Sequence, residues 1–80
     1  MSFFEIVNQA IAEFAAAEKR ECTCREDIHG NIDVFISGVG FAFTVCHIGN
    51  AVTMENRCCF SITRKAINKI WTALRENGFE

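Results

Sequence analysis

Five cysteines and two histidines are the residues of this 80-residue sequence that could support metal or thiol chemistry. Zinc prefers thiolate and imidazole ligands, and a structural site needs four of them. The spacing here is not that of zinc fingers or ribbons, and adjacent residues on a strand point to opposite faces. We therefore expect structural thiols and no bound metal, with a zinc site as the less favoured alternative. The soft ligands considered are Cys22, Cys24, Cys46, His47, Cys58 and Cys59.

A catalytic cysteine would need a general base beside it, and His29 and His47 are the two imidazoles in the chain. His29 stands next to a turn glycine, where a solvated loop histidine is the usual outcome. His47 ends a predicted strand, where a packed or rim histidine is expected. The sequence also contains no phosphate-binding loop, dinucleotide fingerprint, metalloprotease helix or nucleophile elbow. The prediction is a protein that is not an enzyme and that needs no cofactor.

Charge is distributed unevenly along the chain, whose net charge is −2. Residues 1–55 carry eight acidic and three basic side chains, whereas residues 56–80 carry five basic and two acidic ones. Such asymmetry predicts an acidic surface and a basic one. We take Arg57, Arg64, Lys65 and Lys69 as the candidate residues that bind an acidic protein surface or nucleic acid. The alternative is that these charges only solvate a helix.

Residues 61–79 have the strongest helical pattern and must position most of those basic side chains. Their apolar residues recur at i, i+3, i+4 and i+7, which places Trp71 in the predicted core. Ser61 is the predicted N-cap, and Gly78 is the predicted stop, with Phe79 folding back onto Leu74. The apolar stripe consists of Ile62, Ala66, Ile67, Ile70, Trp71 and Leu74.

The N-terminal residues predict a second helix. Ser2 and Glu5 have the spacing of a capping box, in which each side chain accepts from the other residue's backbone amide, and Met1 can pack onto Ile6. The helix is expected to run to about Lys19. Its apolar stripe consists of Phe3, Ile6, Val7, Ala10, Ile11 and Phe14.

Between the helices, alternating apolar and polar residues predict antiparallel strands. Residues 32–37 and 41–48 alternate, and Gly49-Asn50 predicts a two-residue type II′ hairpin loop. The strand after it is expected over residues 51–60, with an irregularity near Glu55-Asn56. Residues 21–27 are too polar for a central strand and form either an edge strand or a connection. The predicted fold is α+β, a three- to four-stranded antiparallel sheet with N- and C-terminal helices on one face, in a single domain over residues 1–80.

The sheet face that the helices leave uncovered is a second candidate surface. In the predicted register Phe41 faces the core, whereas Ala42 and the interface candidates Phe35, Cys46 and Ile48 face outward. Apolar residues are unusual on a solvated antiparallel face. We expect this face to be covered by a second copy of the chain, by another protein, or by residues 21–27.

The order α-β-β-β-α, with the basic sequence SITRK at residues 61–65, resembles the double-stranded-RNA-binding domain. In that family, lysines at the start of the final helix contact phosphates, and a turn between the first two strands enters a minor groove. The resemblance therefore implies phosphate contacts by Arg64, Lys65 and Lys69, with His29-Gly30 as the turn. The chain differs from the family in lacking its Gly-Pro-x-His turn and in its acidic first helix and negative net charge.

The sequence shows no secretory signal and no apolar run long enough to span a bilayer, so we expect a soluble cytoplasmic protein without membrane association. An odd number of cysteines also suits a reducing compartment. We predict a small non-catalytic protein-binding regulator or inhibitor, of the kind that phages and mobile elements encode against host defences. A nucleic-acid-binding domain similar to the double-stranded-RNA-binding family is the alternative.

Overall fold

The computed structural model describes residues 2–80, so the predicted contact of Met1 with Ile6 lies outside the described residues. The chain forms two helices and four strands in the order α-β-β-β-β-α. The helices are α1 (Phe3–Glu18) and α2 (Ser61–Glu76), and the strands are β1 (Cys22–Glu26), β2 (Ile32–Ile36), β3 (Gly40–Ile48) and β4 (Ala51–Glu55). The predicted α+β class is confirmed.

The predicted capping box begins α1. The amide N–H of Glu5 donates to Ser2 Oγ at 3.1 Å, and the amide N–H of Ser2 donates to Glu5 Oε1 at 2.9 Å. These bonds satisfy donors that would otherwise lack a partner in the first turn. The helix ends at Glu18, and Lys19 follows in the left-handed conformation with φ 55°.

The four strands form one antiparallel meander in the order β1-β2-β3-β4. Residues 21–27 therefore contain an edge strand, as one of the two alternatives predicted. Ile48 pairs with Ala51, which confirms the two-residue loop between β3 and β4. Within that loop Gly49 has φ 59° and Asn50 has no positive φ, as a type II′ turn requires.

A β-bulge in β3 changes the predicted sheet faces. Val34 pairs with Phe43 but Phe35 pairs with Phe41, so Ala42 is the extra residue. Ala42 is fully buried, whereas Phe41 is 38% exposed. The prediction that Phe41 faces the core and Ala42 faces outward is therefore wrong. A prediction from strict period-2 alternation fails here, because the inserted residue reverses the side-chain direction of the β3 residues that precede it.

The connection from β4 to α2 differs from the prediction in two ways. The strand ends at Glu55 instead of running to residue 60, at the irregularity predicted near Glu55-Asn56, because Asn56 adopts a left-handed φ of 56° that interrupts the extended backbone. The N-cap of α2 is Phe60 and makes no side-chain capping bond, so Ser61 is the first helical residue and not the cap. The predicted stop at Gly78 is confirmed by its φ of 87° and by the amide of Phe79 donating to the Leu74 carbonyl at 3.0 Å.

Both helices pack on one face of the sheet and share a single hydrophobic core. The stripes of α1 and α2 meet the inward side chains of β2, β3 and β4. Removing this apolar surface from water is the main stabilising term. The buried residues include Val7, Phe14, Ile32, Val34, Phe43, Val45, Ile70 and Leu74.

Candidate functional site: a basic groove beside the C-terminal helix

A groove of about 490 Å³ lies between α2 and the connection that precedes it. The connection is held against the bulge in β3, because the amide of Cys58 donates to the Ala42 carbonyl at 3.0 Å and Cys58 Sγ donates to the Phe41 carbonyl at 3.1 Å. This volume falls within the range of ligand-binding clefts. The groove is lined by Arg57, Cys58, Cys59, Phe60, Arg64, Ile67, Asn68 and Trp71.

Two arginines make the groove electropositive. Arg57 and Arg64 are exposed, and neither has a carboxylate oxygen within 4.0 Å in residues 2–80. The first turn of α2 adds to the positive potential, because it carries no acidic residue and its N-cap side chain satisfies none of the free amides. An anionic group is therefore the expected complement of this groove.

Aromatic residues supply the apolar part of the groove. Phe60 is 58% exposed, and Trp71 is half-buried, with the guanidinium carbon of Arg75 5.0 Å from its ring centre. The prediction that Trp71 is a core residue is thus only partly right, since the ring packs against the core and also lines the groove. Arg64, Asn68, Trp71 and Arg75 follow one another at helical spacing. This spacing is visible in the sequence, but apolar periodicity assigns Trp71 to the core and so separates it from the arginines.

The other two predicted basic residues lie on a different flank of α2. Lys69 Nζ is 3.0 Å from Glu13 Oε1, and Lys65 Nζ is 4.0 Å from Glu18 Oε1. Both carboxylates belong to α1, so the acidic helix compensates these lysines. The structure therefore divides the predicted basic face, placing Arg57 and Arg64 in the groove and both lysines beside α1.

The uncovered face of the sheet carries a smaller aromatic cluster. Phe35 and Phe41 contact edge to face with ring centres 5.7 Å apart, and the guanidinium carbon of Arg25 lies 5.5 Å from the Phe35 ring centre. The predicted interface residues Cys46 and Ile48 are on the same face, and Ile48 is 88% exposed. Residues 21–27 pair beside β2 and do not cross this face, so that predicted cover is wrong.

The cysteines and histidines do not form a common site. No group of three or more His, Cys, Asp or Glu side chains able to hold a metal ion comes together within residues 2–80. The ring of His47 stacks on that of Phe3 with centres 3.9 Å apart, which confirms a packed histidine. His29 is exposed in the loop between β1 and β2, also as predicted.

Burial makes three of the thiols poor nucleophiles. It raises the pKa of Cys24 to about 11, with the nearby Cys22 adding to the increase. Burial also raises the pKa of Cys22 and of Cys46, and Glu55 raises the pKa of Cys46 further through a hydrogen bond and its charge. These groups stay protonated near neutral pH, whereas a nucleophile or metal ligand must be a thiolate.

The fold and the groove together define a two-layer α+β domain with a basic, partly aromatic surface groove. Comparison of the chain with protein-family models, with curated proteins and with solved structures gives no match in any of the three. No helix within residues 2–80 has both the length and the apolar character needed to cross a membrane.

Proposed function

We propose that this chain is a small non-catalytic protein-binding regulator or inhibitor whose groove receives an acidic segment of its partner. The observation that carries the proposal is the pair Arg57 and Arg64, which have no carboxylate partner within residues 2–80 and line the same groove as the half-buried ring of Trp71. Arginine and tryptophan are the residue types most enriched among those that dominate binding energy at interfaces. A carboxylate can pair with each guanidinium while an apolar side chain enters between Phe60 and Trp71.

Charge complementarity gives such a module its selectivity. The chain is net negative, and α1 already supplies carboxylates to Lys65 and Lys69. Arg57 and Arg64 therefore give the groove two positive charges with no carboxylate partner in residues 2–80, which favours an acidic segment there. Association through such a groove is steered by charge, and its rate falls as salt is added.

We propose a regulator of the anti-defence type, which the small size of the domain supports. An 80-residue domain offers a stable fold and a surface, which is what anti-defence proteins of phages and mobile elements require. We place its action in the cytoplasm, because its five cysteines are all unpaired in the structure and thiols persist in reducing compartments.

Duplex RNA binding is the second candidate function. The loop that contains His29-Gly30 connects the first two strands, where the double-stranded-RNA-binding family places its minor-groove turn. However, Lys65 and Lys69 lie near carboxylates of α1, and a fourth strand precedes α2. Phosphate contact by these lysines would have to displace Glu18 and Glu13.

Two matched double variants separate the candidates, since each removes two positive charges. Arg57→Gln with Arg64→Gln neutralises the groove, and Lys65→Gln with Lys69→Gln neutralises the flank beside α1. Each variant and the unaltered protein would be purified from its native cell, with and without nuclease, and titrated with a duplex RNA of about 20 base pairs. Circular dichroism would check that each variant is folded.

The proposal expects a nuclease-resistant protein partner that is lost with the groove variant, retained with the lysine variant and weakened by salt. Duplex RNA binding that depends on Lys65 and Lys69, with no nuclease-resistant partner, would establish the second candidate instead. A protein partner that tolerates loss of Arg57 and Arg64 would exclude the groove as the binding site.

A further inference from the structure

The outer edge of β1 is the open edge of the sheet. β1 is the first strand in the sheet order, and its ladder bonds go to β2. The start of β4, at the opposite edge, is already paired with the last residue of the chain. There the amide of Val52 donates to the Glu80 carbonyl at 2.6 Å, and the amide of Glu80 donates to the Asn50 carbonyl at 2.8 Å. An unpaired strand edge is a template for another strand.

The hydrogen bonds to β2 show which backbone groups of β1 face that open edge. The carbonyl of Glu21 accepts from Ser37, and the amide of Asp27 donates to Asn31, both at 2.8 Å. Backbone groups alternate in direction along an antiparallel strand, and this ladder has no register shift. The odd-numbered residues therefore bond to β2, whereas Cys22, Cys24 and Glu26 direct their amides and carbonyls outward.

The sequence around β1 is complementary to itself. Residues 20–26 read Arg-Glu-Cys-Thr-Cys-Arg-Glu. When two copies are laid antiparallel with Thr23 opposite Thr23, Glu21 faces Arg25 of the other copy and Arg20 faces Glu26. Glu21 and Arg25 thus meet opposite charges at both symmetric positions, whereas the guanidinium of Arg20 already donates to the Ser37 carbonyl at 2.9 Å. Glu21, Arg25 and Glu26 form no salt bridge inside the described part of the chain.

The backbone permits this register and the charges select it. It places Cys22 opposite Cys24 of the second copy, and both residues direct their backbone groups outward, so two symmetric pairs exchange about four hydrogen bonds. A shift by one residue would oppose an outward-facing residue with an inward-facing one. A shift by two residues in one direction would place Glu21 opposite Asp27, and like charges directly opposite are destabilising. A shift in the other direction would require pairing to extend to Lys19, which is left-handed and outside β1.

We propose that two copies of this chain associate through antiparallel pairing of β1, with Thr23 on the two-fold axis. The dimer has a continuous eight-stranded sheet. Its two basic grooves lie beside the connection after β4, away from the paired edge, so both stay accessible. The proposal does not depend on what the groove binds. If the groove has a partner, the dimer is bivalent.

Charge reversal tests the register. The association constant of the unaltered protein would be measured by sedimentation velocity up to about 1 mM, because the pairing is short and the dimer is weak. Glu21→Arg is expected to reduce the association constant about tenfold by placing arginine opposite Arg25 at both symmetric positions. Glu21→Arg combined with Arg25→Glu restores opposite charges and is expected to recover the dimer. An unaltered protein that is monomeric at 1 mM, or a double variant no better than the single, would overturn the proposal.

Disulfide trapping tests the same geometry in a single residue. Thr23→Cys places two exposed thiols across the axis in a non-hydrogen-bonded pair, where the Cα atoms are about 4.5 Å apart and a disulfide can form. Thr53→Cys is the matched control, since Thr53 is an exposed threonine on the same sheet face in β4. Mild oxidation should give covalent dimer for Thr23→Cys well above the level of the unaltered protein and of Thr53→Cys. All three proteins would carry Cys22→Ser and Cys24→Ser, because the register sets these two native thiols opposite each other. Equal yields from all three would then refute pairing through β1.

Discussion

Replacing two neighbouring residues of α2 tests whether this helix contributes one side chain to the core and the next to the groove. Ile70 is completely buried, so Ile70→Ala removes apolar contacts and leaves a cavity, which costs about 2–5 kcal/mol of unfolding free energy. Trp71 is half-buried, and part of its ring lines the groove. A fully buried tryptophan would cost about 3–5 kcal/mol on truncation. We expect about 2 kcal/mol for Trp71→Ala, because the part of the ring in the groove is not removed from water.

Thermal and urea unfolding followed by circular dichroism measure both losses. For a domain of this size, a change of about 2 kcal/mol lowers Tm by roughly 8–16 °C. Below its own Tm, Trp71→Ala should be folded but unable to bind its partner. Below its own Tm, Ile70→Ala should still bind. A Trp71→Ala variant less stable than Ile70→Ala would show that the tryptophan is a core residue, and undiminished partner binding would show that the groove does not use it.

Four smaller predictions concern the first helix, the reactivity and the titration of the thiols, and the open sheet face. Ser2→Ala should lower the unfolding free energy by about 1 kcal/mol by removing the capping box, whereas Ser61→Ala, which removes no capping bond, should not; equal losses in urea would contradict this account. Iodoacetamide at pH 8 should modify exposed Cys59 well before Cys24, as peptide mass spectrometry can show. The folded-state pKa of Cys24 is raised from 9.0 to about 11, so its contribution to stability is present below pH 9 and is lost as pH rises toward 11. Cys24→Ser should therefore flatten the dependence of the unfolding free energy on pH across that window. An unchanged slope would argue against the buried thiol. Phe35→Ser should lower the unfolding free energy by less than about 1.5 kcal/mol and Phe43→Ala by about 3–5 kcal/mol, because Phe43 is fully buried and Phe35 is not. Similar losses of unfolding free energy would mean that the outer face is covered.

Local rules predicted the features that depend on a few neighbouring residues. The capping box of Ser2 and Glu5, the turn at Gly49-Asn50 and the stop at Gly78 each require only backbone geometry within one turn. Composition does not distinguish the edge strand at residues 21–27 from a connection, since a polar strand and a polar connection contain the same residue types.

Features that depend on how elements meet could not be read from periodicity. The bulge at Ala42 is stabilised by Cys58, which lies 16 residues further along and donates to its carbonyl. The pairing of Lys69 with Glu13 depends on α1 and α2 lying side by side. Helical spacing grouped Lys69 with the arginines as one basic face, but it could not show which flank the acidic helix would occupy.

Trp71 fluorescence tests the central claim most directly, because this is the single tryptophan in the chain and it lines the groove. The protein would be titrated at low salt with a peptide that carries glutamates around one central phenylalanine, and separately with duplex RNA. We expect the peptide to produce a saturable change in Trp71 emission that weakens with added salt and is lost in the variant carrying Arg57→Gln and Arg64→Gln. Emission unaffected by millimolar peptide, or an equal response in that variant, would contradict an acidic ligand in the groove.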